Sequence, residues 1–275
     1  MINKALRGAN YEISLKIDDA VAASAARQSQ RNWLVRKAVG ELADQLSHLD
    51  RLAATLIEGG EQSLRDWDLR TGAATVSAGQ LRIGDQPVME DWQLPLMERL
   101  ARCVAQRHGS VLEIGFGLGL AASFIQAAGV EQHTVVECSP SLAPRFEAWR
   151  AGYPERDIRF LLGTWQEVVA RLDRFDGILF DAYPLNALEY AEKAQQQALH
   201  AEFFPVAAQH LKDDGVFTYY TAEFDSLGRG HQRALLKSFE SINIEVMDGL
   251  SPTPDAQTWW GRTMVIVEAR RPRRP

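Results

Sequence analysis

Residues 111–119 read Val-Leu-Glu-Ile-Gly-Phe-Gly-Leu-Gly, and a later apolar run, Thr134-Val135-Val136, ends in Glu137. An apolar strand breaks into a glycine-rich turn, a helix follows, and a second strand finishes in a carboxylate. That order constrains the fold more than any other stretch, because it is how an open α/β sheet holds a nucleoside-bearing cofactor at its carboxyl edge. The glycines let backbone approach a ligand, and Glu137 can accept hydrogen bonds from both hydroxyls of a ribose. The plainer alternative is a strand–turn–helix whose glycines serve the turn alone.

The spacing narrows the cofactor. A dinucleotide fingerprint places its third glycine three positions after the second. Here the glycines are Gly115, Gly117 and Gly119, and position 120 is Leu120. No pyrophosphate cradle is implied.

Beyond this unit the chain alternates regularly. Strands are expected at 111–115, 134–138, 158–162, 177–182, 215–221, 243–248 and 263–268. Helices are expected near 119–129, 140–152, 166–173, 191–211 and 229–240. Strand–helix alternation predicts a doubly wound, mostly parallel sheet covered on both faces. Continuous apolar runs such as Gly177-Ile178-Leu179-Phe180 suit strands buried on both sides. Upstream, Val35, Val39, Leu42, Leu46, Leu49 and Leu56 form one apolar helical stripe, with Gly59-Gly60 as its stop. Residues 1–60 therefore read as a helical extension and 61–275 as the main domain. The stripe either packs on that domain or joins a partner subunit in a homodimer. Residues 61–88 read as loop-rich, before a helix near 91–107.

Composition excludes several classes. A net charge of −6 argues against broad nucleic-acid binding. No run approaches the roughly 20 apolar residues of a membrane span, and the first residues lack the apolar core of a signal peptide. The two cysteines, Cys103 and Cys138, have no metal-type spacing, so no metal is expected and buried free thiols are the default. A cytoplasmic setting fits these features.

The G-x-G-x-G turn, with Glu113 two residues before it, resembles the first motif of class I methyltransferases, which bind S-adenosyl-L-methionine. The likeness extends through Leu81-Arg82-Ile83, Pro87-Val88-Met89-Glu90-Asp91-Trp92, Val136-Glu137-Cys138, Gly163-Thr164-Trp165-Gln166-Glu167-Val168, Asp181-Ala182-Tyr183-Pro184-Leu185 and Gly215-Val216-Phe217-Thr218-Tyr219. In this order the segments resemble guanidinoacetate N-methyltransferases and, more distantly, fungal protein arginine N5-methyltransferases. The resemblance covers 67–268 and implies a seven-stranded sheet whose last strand is antiparallel.

Carried over by position, the resemblance implies cofactor contacts at Trp67, Met89, Met97, Phe116, Gly117, Leu118, Gly119, Leu120, Ala121, Glu137, Trp165, Gln166 and the backbone of Asp181. Methionine and aromatic side chains suit packing on adenine and around a sulfonium cation. Core packing is the competing reading for Met89, Met97 and Trp165. Asp181 implies a catalytic and substrate-binding carboxylate that orients a guanidinium and takes up its proton; a turn aspartate is the alternative. Tyr183 would stand beside the acceptor. The family's second gripping glutamate is replaced by Gln93, a neutral amide that cannot balance a cation. Glu223 falls near the family's substrate-carboxylate region, where it would repel a carboxylate. Trp259 and Trp260 either wall the acceptor pocket or pack on the sheet edge. The expectation is methyl transfer to a small-molecule acceptor other than guanidinoacetate, on nitrogen or carbon, in specialised metabolism. The alternatives are a protein arginine methyltransferase and a non-catalytic partner subunit.

Overall fold

The computed structural model describes residues 67–193, 198–221, 223, 225–252, 256 and 261–274, with the single further position 39. The chain divides into two compact units, Met1–Leu64 and Arg65–Pro275. The helical extension expected over 1–60 lies outside the described residues except for position 39, and so do Trp259 and Trp260.

Three short strands open the second unit: β1 (Ala74–Ser77), β2 (Gln80–Ile83) and β3 (Gln86–Glu90). They pair antiparallel in the order β1-β2-β3. The sequence reading expected loops here. The signal was present but short. Two runs of four and five residues flank Gly84-Asp85, and Leu81 and Ile83 are buried while Gln80 and Arg82 are half-buried. Ala78 and Gly79 make the preceding turn with φ of 49° and 77°, the left-handed pair that a two-residue hairpin demands.

The main sheet has seven strands: β4 (Ser110–Ile114), β5 (Gln132–Glu137), β6 (Asp157–Leu162), β7 (Phe175–Phe180), β8 (Leu211–Thr221), β9 (Phe239–Met247) and β10 (Met264–Pro272). Their order is β6-β5-β4-β7-β8-β10-β9. Neighbours from β6 to β8 are parallel; β10 runs antiparallel to both β8 and β9. All seven expected strands are present. The helices are α1 (Leu94–Val104), α2 (Leu120–Ala127), α3 (Ala143–Arg150), α4 (Trp165–Val168), α5 (Ala187–Lys193), α6 (Ala198–His210) and α7 (Arg229–Ser238). The helix expected over 191–211 is represented by α5 and α6.

Successive residues of the central strands feed opposite cores, as the pleat requires. Val111 and Leu179 join Leu96, Met97 and Leu100 on one side. Leu112, Ile114, Ile178 and Phe180 join Phe203, Phe204 and Phe217 on the other. The chain winds outward from β4 to β5 and β6 on one side, then returns to β7 and β8 on the other, so the switch point falls between β4 and β7. Ligands bind at the carboxyl edge of such a point.

Candidate active site

Three backbone hydrogen bonds bring the strand ends to one level. Gly115 N–H donates to Val136 O at 2.8 Å, Asp181 N–H to Ile114 O at 2.9 Å, and Gly163 N–H to Glu137 O at 2.9 Å. Gly115 has φ of 93°, and a Cβ there would stand 2.1 Å from the Asp181 carbonyl oxygen. Only glycine lets β4 turn this close to the end of β7. Gly117 has φ of 54°, and its missing Cβ leaves room for the Met89 sulfur, which accepts the Leu118 N–H at 3.3 Å.

Above this edge lies a cavity open to solvent. Met89, Gly117, Glu137, Trp165, Gln166, Asp181 and Tyr183 line it, as the resemblance implied they would stand together. Glu137 is 6 % exposed. Its carboxylate accepts from the backbone N–H of Phe116 at 2.9 Å, Gly117 at 3.4 Å and Ser139 at 2.8 Å. The carboxylate thus shapes the glycine turn as well as facing the cavity. Trp165 serves two surfaces, lining the cavity while its ring packs 5.1 Å from Phe203.

Asp181 follows β7 at the cavity floor and is half-buried. Burial lifts its carboxyl to about 7; the Tyr220 hydroxyl opposes that rise, and the Glu113 and Glu137 carboxylates add to it. Glu113 sits on β4 beneath the turn, 1 % exposed, with Oε2 2.8 Å from His133 Nε2 but off hydrogen-bond geometry. Burial raises its carboxyl too, against the pull of His133. Tyr220 of β8 lines the cavity with Asp181 and accepts a hydrogen bond from Gln93 Nε2 at 3.3 Å. Gln93 is 3 % exposed and does not line the cavity; its amide meets Tyr220, which does.

Other expected contacts lie elsewhere. Met97 is fully buried in the core against α1's neighbours, with no face on the cavity. The Phe116 ring turns away to Phe146 and Trp149, at 5.2 and 5.5 Å. Leu118, Gly119, Leu120 and Ala121 carry the turn into α2 without lining the cavity. Trp67 packs behind the wall on Tyr183 and Tyr190, at 5.9 and 6.3 Å. Glu223 departs most from expectation. Its carboxylate accepts the Gly228 N–H at 2.6 Å, just before α7, and lies 3.1 Å from His231 Nδ1. It serves the start of a helix rather than the acceptor pocket. Residues that the sequence did not assign as contacts also line the cavity: Leu69, Leu81, Ile83 and Val88 from the small sheet and its approach, and Glu189 from α5. The buried alternation of β2 was the available signal for two of them.

The donor groups fit S-adenosylmethionine. Two left-handed glycines leave the rim open to backbone contact, Glu137 faces the cavity with acceptor capacity beyond its three N–H donors, and Val136, Leu142 and Trp165 offer an apolar bed for an adenine.

This strand order, with its one antiparallel strand and the glycine turn answered by the acid that ends β5, defines a class I S-adenosylmethionine-dependent methyltransferase. The model of one family of that class, guanidinoacetate N-methyltransferase, matches residues 55–248, and the chain belongs to that family. Among curated proteins it is similar to protein arginine N-methyltransferase 2 of Saccharomyces cerevisiae, 28% identical over 171 residues, 58% of this chain and 37% of that protein. The counterpart in Eremothecium gossypii is 28% identical over 155 residues, 53% and 34%. The chain thus spans little more than a third of the length of these relatives. Among solved structures, a spermidine synthase in complex with the transition-state analogue AdoDATO superposes with a TM-score of 0.50 at 16% identity, over 71% of this chain and 72% of that one. That likeness bears on the fold alone. No helix among the described residues is long and apolar enough to cross a membrane.

Proposed function

We propose that the protein methylates a small-molecule acceptor other than guanidinoacetate, on a nitrogen of an amino or guanidino group. The observation that carries this reading is the placement of Asp181 on the floor of the same cavity that holds the glycine turn and Glu137. When bound, S-adenosylmethionine supplies a methyl group on a sulfonium, which departs as a neutral thioether. The chain's own residues do the rest. Glu137 and the turn at 115–117 hold the nucleoside end. Trp165 and Met89 enclose it and exclude water. A nucleophilic nitrogen needs a free lone pair, so an N–H proton must leave as the new N–C bond forms. Asp181, with a carboxyl poised near neutrality, is placed to orient that N–H and accept its proton. Positioning supplies much of the rate in such a reaction.

The resemblance implies two gripping carboxylates; this chain has Asp181 and, at position 93, a buried amide that stands off the cavity, which supports an acceptor different from guanidinoacetate. A second reading, arginine within a protein as the acceptor, is favoured by the curated relatives named above. Incubation with methyl-labelled S-adenosylmethionine and a panel of amines, guanidines and Arg-rich proteins, read by product mass, separates the two. Absence of cofactor binding would sink both.

A further inference from the structure

The described residues include Met89, Met97, Met247 and Met264. Met97 and Met264 are buried in the core, and Met247 packs against it partly buried. Met89 is the one of these that lines the cavity, where it is 6 % exposed.

Its thioether is seated on the glycine turn. Sδ accepts the Leu118 N–H at 3.3 Å, just before α2 begins. A Cβ on Gly117 would stand 2.7 Å from the same sulfur. The sulfur thus rests directly on the turn, with no room for another heavy atom between them. The backbone behind it is held, because Met89 pairs with Leu81 across β2 and β3. Bulk added at this sulfur is therefore driven against the turn or out into the cavity.

A thioether gains such bulk by oxidation. The sulfur attacks the terminal oxygen of a hydroperoxide. The S–O bond forms as the O–O bond breaks, and the proton of that terminal oxygen passes to the departing oxygen, which leaves as water or an alcohol. Sulfur loses two electrons and the peroxide gains them. A sulfoxide oxygen aimed at the Leu118 N–H pushes the sulfur and its methyl group off the turn into the cavity. Aimed the other way, the oxygen takes cavity space itself. Both arrangements crowd a cofactor held at the turn.

We propose that Met89 is a peroxide-sensitive modification site, where oxidation of the thioether to the sulfoxide closes the methyl-donor site and reduction of the sulfoxide reopens it. This goes beyond the acceptor reading above and needs only the cofactor site. Cys138 also lines the cavity. Burial and the Glu137 carboxylate push its thiol up, so little reactive thiolate is present there.

The test exposes the full chain to hydrogen peroxide for set times, maps each methionine by peptide mass spectrometry, and measures S-adenosylhomocysteine affinity by calorimetry. Met89 should gain oxygen about tenfold faster than Met97 and Met264. Saturating S-adenosylhomocysteine should slow that reaction about fivefold or more. Chains oxidised at Met89 should bind S-adenosylhomocysteine about tenfold more weakly or worse, with the circular-dichroism spectrum of the untreated chain. Methionine sulfoxide reductases of both classes, one for each sulfoxide epimer, should restore affinity. Dithiothreitol should not, which separates Met89 from Cys138. Met89→Leu, whatever its own affinity, should lose none of it on peroxide treatment. Oxidation of Met89 no faster than Met97, affinity that survives the sulfoxide, unfolding of the oxidised chain, recovery with dithiothreitol alone, or an equal loss in Met89→Leu overturns the inference. If the untreated chain does not bind S-adenosylhomocysteine, the methyl-transfer reading falls with it.

Discussion

Asp181→Asn makes the sharpest test of the electrostatics of the floor. Asparagine keeps the shape and an oxygen that can accept from Tyr220, and it removes only the titration. In the fold, burial holds the carboxyl near 7, against about 3.9 in an unfolded chain. Between those values the folded protein binds a proton that the unfolded chain has released. The contribution of this carboxyl to wild-type stability is therefore fully present below about pH 4 and is lost as pH rises toward and through 7. A gap of about 3 units corresponds to about 4 kcal/mol at a dry site. The carboxyl faces an open cavity and water screens it, so about 1–2 kcal/mol between pH 5 and 8 is the expected size. For a unit of this length that is about 2–8 °C in melting temperature. Circular-dichroism melts of both proteins at pH 5, 6, 7 and 8 read it directly. The variant should gain on the wild type as pH rises, since other titrating groups are common to both. A difference that is constant with pH, or that shrinks, refutes a raised carboxyl at this position.

Two further perturbations probe the scaffold. Gly115→Ala meets both a left-handed φ and the Asp181 carbonyl, whereas Gly129→Ala meets the φ with no atom closer than 4.0 Å. Gly129→Ala should cost about 1–2 kcal/mol and Gly115→Ala a further 1–3 or so, with S-adenosylhomocysteine binding lost only in the latter; equal melts would show that the β4–β7 approach is not tight. Met97→Ala, at a fully buried position in the core, should lower stability by about 2–5 kcal/mol while leaving S-adenosylhomocysteine affinity within about twofold by calorimetry. A large loss of affinity in a stable variant would instead make Met97 a cofactor contact.

The main sheet was legible because its strands carry long apolar runs separated by helical stretches, and burial on both faces imposes such runs. The small sheet was not, because strands of four or five residues leave too little alternation to stand out from loops. Glu137 and Asp181 could be chosen from sequence since each ends an apolar strand. The fate of Glu223 could not: a carboxylate after β8 can face the cavity or turn to the start of α7, and the choice depends on where His231 and Gly228 come to lie. Phe116 shows the same limit from the other side. It stands inside the glycine motif, yet its ring is drawn to Phe146 and Trp149 because a buried aromatic follows the larger apolar surface.

The sequence by itself determined the order of strands and helices, the glycine turn and the two acids at strand ends, because backbone conformation and burial pattern are local and periodic. Tertiary structure alone decided which polar groups share a proton. Gln93 and Tyr220 are separated by 127 residues. Only the packing of the segment after β3 against β8 brings that amide to that phenol, at the cavity that Asp181 also lines. Hydrogen bonds act over about 3 Å, so what the floor of the cavity accepts is set by distances that no spacing along the chain records.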